Sequence, residues 1–328
     1  MKPLPLQKMK SEYLITLLFC LSAFAAAAAE SDLPLFDTVW QTICRHHYNP
    51  AFDTENRAGL HDVYRPQVKA AATPEDARRI INQMLAGTGE SHLQLLPPAP
   101  TTATPPVPAN RTDGDRPALD FRSGNLHLQA DYRAERLSDT VGLVAFSLFV
   151  PEVIKRFRQD LKTTLAGCRG IIIDIRDNPG GVADAAVYLA SWCAPRSIPL
   201  GEMIINGVKL SPRSTPQKNG FRGKIAILID NDSGSTSEIF AAAMQDAGHA
   251  RLFGAATPGQ CLPSQIIAMP DGSRLQTVFG DIRRPDGRRI EGIGVTPDVP
   301  CPPEKAVELA AQWIDETSFF EEIFKWWN

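Results

Sequence analysis

The stretch Ile229-Asp230-Asn231-Asp232-Ser233-Gly234-Ser235-Thr236-Ser237-Glu238 is laid out for attack on an acyl group. An apolar run ends at Asp230, a turn of small residues follows, and a helical pattern begins at Glu238. In open α/β sheets, ligands collect beyond the carboxyl ends of the strands. A helix amino terminus adds unpaired N–H groups and the positive end of its dipole, which suit a developing oxyanion. A serine in this turn would supply the nucleophile, and the N–H after it a donor. The same residues also read as a capping box, because Ser235 and Glu238 stand three apart. That role needs no chemistry, and the two are compatible. A second element, Ile173-Asp174-Ile175-Arg176-Asp177-Asn178-Pro179-Gly180-Gly181, also closes an apolar run. Its paired glycines let backbone approach a ligand closely and turn N–H groups into a site.

Taken with two further pieces, these elements resemble the carboxyl-terminal processing (tail-specific) serine peptidases. The pieces are the run from Ser233 to Asp246 and Glu291-Gly292-Ile293-Gly294-Val295-Thr296-Pro297-Asp298. Order and spacing are similar to that family from about residue 35 to residue 300. The resemblance implies Ser235 as nucleophile, with the N–H groups of Thr236 and of Gly180 or Gly181 as the oxyanion hole. The best-known branch takes its general base from a lysine in a Thr-Phe-Gly-Lys-Gly segment. Here the matching stretch is Thr257-Pro258-Gly259-Gln260-Cys261, and Gln260 cannot accept a hydroxyl proton. A second branch, with a tricorn-core-like site, uses a serine, a histidine, a serine beside that histidine, and a glutamate. Gly89-Glu90-Ser91-His92 and Glu291 match it. The catalytic set implied is therefore Ser235, His92, Ser91 and Glu291. Histidine suits the task because its ordinary pKa lies near 6.5. Ser91 and Glu291 would fix its tautomer and stabilise the imidazolium, as the acid does in triads. His46, His47, His61, His127 and His249 lie in no such motif.

The elements that must position these residues follow from periodicity. Residues 31–92 read as helical: Leu35, Phe36, Val39, Trp40 and Ile43 recur at helical spacing. Thr73-Pro74-Glu75-Asp76 opens a helix that stops at Gly87. Residues 126–132 and 143–149 read as strands, and 153–165 as an amphipathic helix. Residues 170–175 and 224–230 are continuous apolar runs, as buried strands require. Helical patterns follow at 183–192 and 238–247, then shorter strands over 261–290 and a last helix at 303–315. Alternating strands and helices predict an α/β fold. The resemblance makes it a crotonase-like sheet-and-helix catalytic core preceded by a small helical N-terminal region.

Five segments are expected: a signal peptide over 1–29, the N-terminal helical region carrying the Ser-His pair over 30–96, a proline-rich connector over 97–117, the catalytic core over 118–302, and a C-terminal helix with an aromatic tail over 303–328. The first is read from Lys2, Lys8 and Lys10, an apolar run over 14–25, and an alanine tract ending at Ala29. The run is short for a membrane span, so no integral span is expected once the signal is removed. The connector holds Pro97, Pro98, Pro100, Pro105, Pro106, Pro108 and Pro117. Too few residues lie between His92 and Leu143 for the peptide-binding PDZ domain that many family members carry. Substrate selection would then fall to the cleft.

A net charge of −3 with no dense basic face excludes nucleic acid as the main partner. The mature chain keeps Cys44, Cys168, Cys193, Cys261 and Cys301, an odd number, so at least one thiol is left over in an oxidising compartment. None has zinc-ligand spacing, and no metal or organic cofactor is implied. The expected function is a periplasmic or secreted serine endopeptidase acting on a polypeptide substrate. Its rivals are a catalytically silent module binding apolar ligands or peptides on the same fold, and an acyl hydrolase. Substrate, oligomeric state, any disulfide pairing, and whether the signal segment is cleaved or kept as an amino-terminal anchor are left open.

Overall fold

The computed structural model describes residues 35–52, 58–98, 118–123, 126–205 and 207–327. The signal segment and nearly all of the proline connector fall outside these residues. Three helices come first: α1 (Leu35–His46), α2 (Ala58–Lys69) and α3 (Pro74–Ala86). The expected start of α3 is present, with Pro74 in its first turn and the Thr73 hydroxyl accepting the Asp76 N–H at 3.1 Å. The α/β part follows as β1 (Gln94–Leu96), β2 (Ala118–Ser123), β3 (Leu126–Arg136), β4 (Val141–Phe146), α4 (Pro151–Asp160), β5 (Gly170–Asp174) and α5 (Ala183–Cys193). It continues through β6 (Glu202–Ile205), β7 (Val208–Leu210), β8 (Lys224–Ile229), α6 (Thr236–Asp246) and β9 (Arg251–Gly254). The chain then forms β10 (Ser264–Ala268), β11 (Arg274–Val278), β12 (Asp281–Arg283), β13 (Val299–Pro300) and α7 (Pro303–Trp327).

Seven strands form the central sheet, in the order β13-β9-β8-β5-β4-β3-β2. It is parallel from β13 to β4 and antiparallel at β3 and β2. Side chains alternate across a strand, so a strand covered on both faces must be apolar throughout. In β5, Ile171 and Ile173 join one core while Ile172 joins another. In β8, Ile225, Ile227 and Ile229 face the first core, and Ala226 and Leu228 the second. The first core is closed by α4, α5 and α6; the second by α7, through Ala306, Ala310 and Ile314. The α7 packing is tight: a Cβ at Gly170 would lie 2.4 Å from the Ile314 side chain.

A third core joins parts far apart in sequence. Phe36, Val39 and Ile43 of α1 and Ile81, Met84 and Leu85 of α3 pack with Leu95, Leu262, Leu275 and Val278. β1 pairs with β11 in a small antiparallel sheet completed by β10. The Asn82 amide reinforces this, donating to the Leu95 carbonyl at 3.0 Å and accepting its N–H at 2.7 Å. The helical N-terminal region is thereby fastened to residues 262–278.

Truncating Ile172 to Ala removes a fully buried side chain that α7 packs against. The expected loss is about 2–5 kcal/mol, read from the denaturant midpoint.

Candidate active site

The sheet delivers two loops to one place. The first follows β5, and its polar residues are bracing. Arg176 donates to both carboxylate oxygens of Asp174, at 2.8 and 2.6 Å, and to the Pro303 carbonyl at the start of α7. Asn178 is fully buried and its amide donates to the Phe146 carbonyl at 2.9 Å. Its side-chain oxygen accepts the Gly180 N–H at 3.0 Å and lies 3.1 Å from the Ser237 hydroxyl oxygen. Glycine is required at 180 and 181, with φ of +111° and +132°. A Cβ at Gly180 would lie 2.8 Å from the Ser235 Cβ and 2.9 Å from the Thr236 nitrogen. One at Gly181 would strike the Phe149 carbonyl oxygen at 2.3 Å. The expected strand over 143–149 ends at Phe146, and Phe149 instead bridges to Gly181.

The second loop follows β8 and carries three serines with different duties. Ser233 and Ser237 are fully buried. Ser233 donates to the Ile175 carbonyl at 2.8 Å, and Ser237 to the Asn178 carbonyl at 2.8 Å. Both tie this loop to the first. Ser235, between them, is half-buried and has φ +53° and ψ −115°. A non-glycine residue held in that region is strained, and such strain clusters at working positions. Ser235 and Glu238 have the capping-box arrangement, yet the hydroxyl makes no capping hydrogen bond. The Glu238 N–H goes to the Ser235 carbonyl at 2.9 Å, and the Ser235 N–H goes to Glu238 Oε2 at 3.0 Å.

Glu238 is fully buried. Oε1 accepts from the Thr257 hydroxyl and the Gly259 N–H, and Oε2 from the Ser235 and Gln260 N–H groups. Burial pushes this carboxyl up from its ordinary range, and those four donors pull it back. One side chain thus welds the serine turn to the loop over 257–260. Gln260 puts its carbonyl 2.9 Å from the Ser235 nitrogen.

Ser91 and His92 sit between α3 and β1 and meet Glu291 from two hundred positions away. Ser91 donates its hydroxyl to Glu291 Oε2 at 3.0 Å and its N–H to Oε1 at 2.9 Å. Its oxygen lies 2.6 Å from His92 Nδ1. A hydroxyl has one proton, and Glu291 takes it, so Nδ1 must be the donor to Ser91. The other ring nitrogen, Nε2, is left with a free electron pair. Burial holds this imidazole below its ordinary value, while the Glu291 charge pulls it upward. Glu291 is itself buried, and Oε2 also accepts the Cys261 N–H at 2.7 Å.

The structure therefore joins Ser91, His92 and Glu291 directly. Ser235 reaches them through the adjacent pair Gln260-Cys261. Among the described residues, its hydroxyl makes no hydrogen bond to the imidazole. The N–H of Gly180 is spent on Asn178, whereas those of Gly181 and Thr236 enter no hydrogen bond among the described residues. The Cys261 thiol approaches the Ser235 carbonyl at 3.5 Å. Burial, then the Glu238, Glu291 and Asp281 charges, push it far above the ordinary thiol range, which disqualifies it as a nucleophile. Cys168, Cys193, Cys261 and Cys301 are free thiols. Asp177, Asp230 and Asp232 bring carboxylate oxygens within 4.8 Å of one another. Asp230 already accepts from the N–H groups of Asp177 and Asp232 and lies 2.9 Å from the Ser233 hydroxyl oxygen, which makes it a clamp between the loops. His47, outside every motif, proves to be bonded to Glu90, next to Ser91. No signal in the sequence pointed to that.

Residues 140–301 match the profile of peptidase family S41, and residues 34–86 that of the tricorn protease C1 domain. A probable CtpA-like serine protease of Staphylococcus epidermidis is 33% identical over 141 residues, 42% of this chain and 29% of the relative. One from Staphylococcus haemolyticus is 26% identical over 186 residues, 55% of this chain and 36% of the relative. The chain thus spans about a third of the length of these curated relatives. A structure of the photosystem II D1 C-terminal processing protease superposes with a TM-score of 0.58 at 17% identity, over 82% of this chain and 93% of that one. The tricorn protease superposes with a TM-score of 0.59 at 17% identity, over 88% of this chain and 36% of that one. The fold is that of the S41 peptidases. Residues 140–301 belong to peptidase family S41, and the helical region before them is similar to the tricorn protease C1 domain.

Gly180→Ala would drive a methyl group against Ser235 and Thr236. The expected outcome is a folded protein whose Ser235 reacts with a fluorophosphonate about a hundredfold more slowly.

Proposed function

We propose that the protein is an exported serine endopeptidase working through an acyl-enzyme at Ser235. One observation carries the reading: Ser91 gives its only proton to Glu291, which leaves His92 Nε2 as a proton acceptor. Ser235 Oγ attacks the scissile carbonyl carbon while its proton passes to Nε2. The oxyanion is received by the Thr236 and Gly181 N–H groups, at the amino end of buried α6. Collapse breaks the C–N bond, and the imidazolium gives its proton to the leaving amine. Water then attacks the ester, His92 takes its proton, and the carboxylate product leaves with Ser235 reprotonated. The Glu291 carboxylate stabilises the imidazolium through the Ser91 hydroxyl.

Metal chemistry has no part in this scheme. A polypeptide is the substrate, and the cleft itself selects it. No helix among the described residues is long and apolar enough to cross a membrane. The residues before Glu30 are proposed as a signal that directs the chain to the periplasm or beyond. Sequencing of the exported product is expected to start near Glu30; a retained Met1 would overturn that part.

A fluorophosphonate and a peptide library test the chemistry. Wild type should be labelled and should cleave peptides, whereas Ser235→Ala and His92→Ala should do neither. Labelled protein that turns over esters but no peptide is an acyl hydrolase; a folded, unlabelled wild type is a binding module. His92 must be neutral to accept a proton, so kcat/KM is expected to fall on acidification with a limb below pH 6.5. Glu291→Gln removes the charge that raises this imidazole. It should lower kcat/KM by about a hundredfold and move the limb to still lower pH.

A further inference from the structure

We infer that His47 and Glu90 are positioning residues that hold the Ser91-His92 turn in register with Glu291, an inference that rests on the serine reading above. His47 follows the last turn of α1, and its Nε2 lies 2.7 Å from Glu90 Oε2. Both side chains are almost wholly buried, at 0% and 4% exposure. The imidazole is locked from the other side by the Asn49 N–H, which approaches Nδ1 at 3.0 Å. Nδ1 is then the acceptor, and Nε2–H donates to Glu90. Phe52 and Tyr48 hold the ring, with centroids 4.2 and 4.6 Å away. Glu90 precedes Ser91 directly, so its fixed carboxylate sets where the next two residues start.

The same helix end reaches the other half of the site. The Tyr48 hydroxyl accepts from Arg289 at 3.2 Å, and Arg289 also donates to Asp281 at 3.2 Å. Arg289 stands two residues before Glu291. Adjacent residues 47 and 48 thus grip both turns that must meet in the Ser91–Glu291 contact. A buried hydrogen bond is a modest source of stability, since replacing both partners by apolar groups of similar shape is often neutral or better. Orientation is what this pair supplies, and misplacement by about an ångström is enough to cost a hundredfold in rate.

The test measures the maximal rate at which a fluorophosphonate labels the protein and the probe concentration giving half that rate. Ser235→Ala is the blank, and folding is followed by circular dichroism. The double variant His47→Phe/Glu90→Leu removes both partners of this hydrogen bond together and is expected to fold. Its maximal rate should fall about a hundredfold, with the half-saturating concentration within about twofold. His47→Gln keeps a donor and Glu90→Gln keeps an acceptor; each should recover most of the rate. A folded double variant labelled as fast as wild type overturns the positioning role alone. So does one in which only the thermal midpoint drops. A wild type that labels no better than Ser235→Ala overturns the serine reading itself, and this inference with it.

Discussion

The single proton of the Ser91 hydroxyl decides the state of the site. It goes to Glu291, so the Ser91 oxygen can only accept from His92, and the imidazole must present a bare Nε2. That arrangement holds only while Glu291 stays put. Its two oxygens are occupied by the Ser91 N–H, the Ser91 hydroxyl and the Cys261 N–H. Cys261 is fixed by the loop that Glu238 clamps, and Glu238 is the third residue of the helix that follows Ser235. The Ser235 turn and the Ser91-His92 turn are thus members of one hydrogen-bonded chain, although Ser235 and His92 are 143 positions apart by their numbers.

The departure at Gln260 fits this wiring. In the lysine branch, the residue at that position acts through its side chain. Here the backbone of Gln260 does the bonding: its carbonyl takes the Ser235 N–H and its N–H goes to Glu238. The side chain is exposed, and His92 belongs to the N-terminal region. The serine turn is held by the Glu238 carboxylate and the Gln260 backbone, with no bond to His92 among the described residues.

The sequence disclosed whatever rests on local periodicity. β5 and β8 were legible as continuous apolar runs because α4–α6 cover one face and α7 the other. The helix starting at Pro74 was legible from Thr73 and the acids after it. Some short strands were not: β1 and β7 span three residues each, too few to show a periodicity of their own. Within Ser-x-Ser-x-Ser, spacing could not show that Ser233 and Ser237 are buried braces and Ser235 the strained one. That division depends on Ile175 and Asn178, which belong to the other loop. The choice between Gly180 and Gly181 likewise turned on Asn178, whose side chain consumes one of the two N–H groups.

His47 marks the limit of reading by motif. As an isolated histidine it carries no signal, and its partner Glu90 looks like a spacer before Ser91. What joins them is the third core, where α1 and α3 pack on Leu262, Leu275 and Val278. That core bonds the base-bearing turn to the same chain segment that leads into Glu291. Had the N-terminal helices packed on α7 or the central sheet, Ser91 and Glu291 would have no common support. The base would then be free to drift from the serine turn. The helical region is accordingly part of the active site's frame. The residues that make it so lie where a helix end meets the loops, at contacts that no repeat or spacing rule encodes.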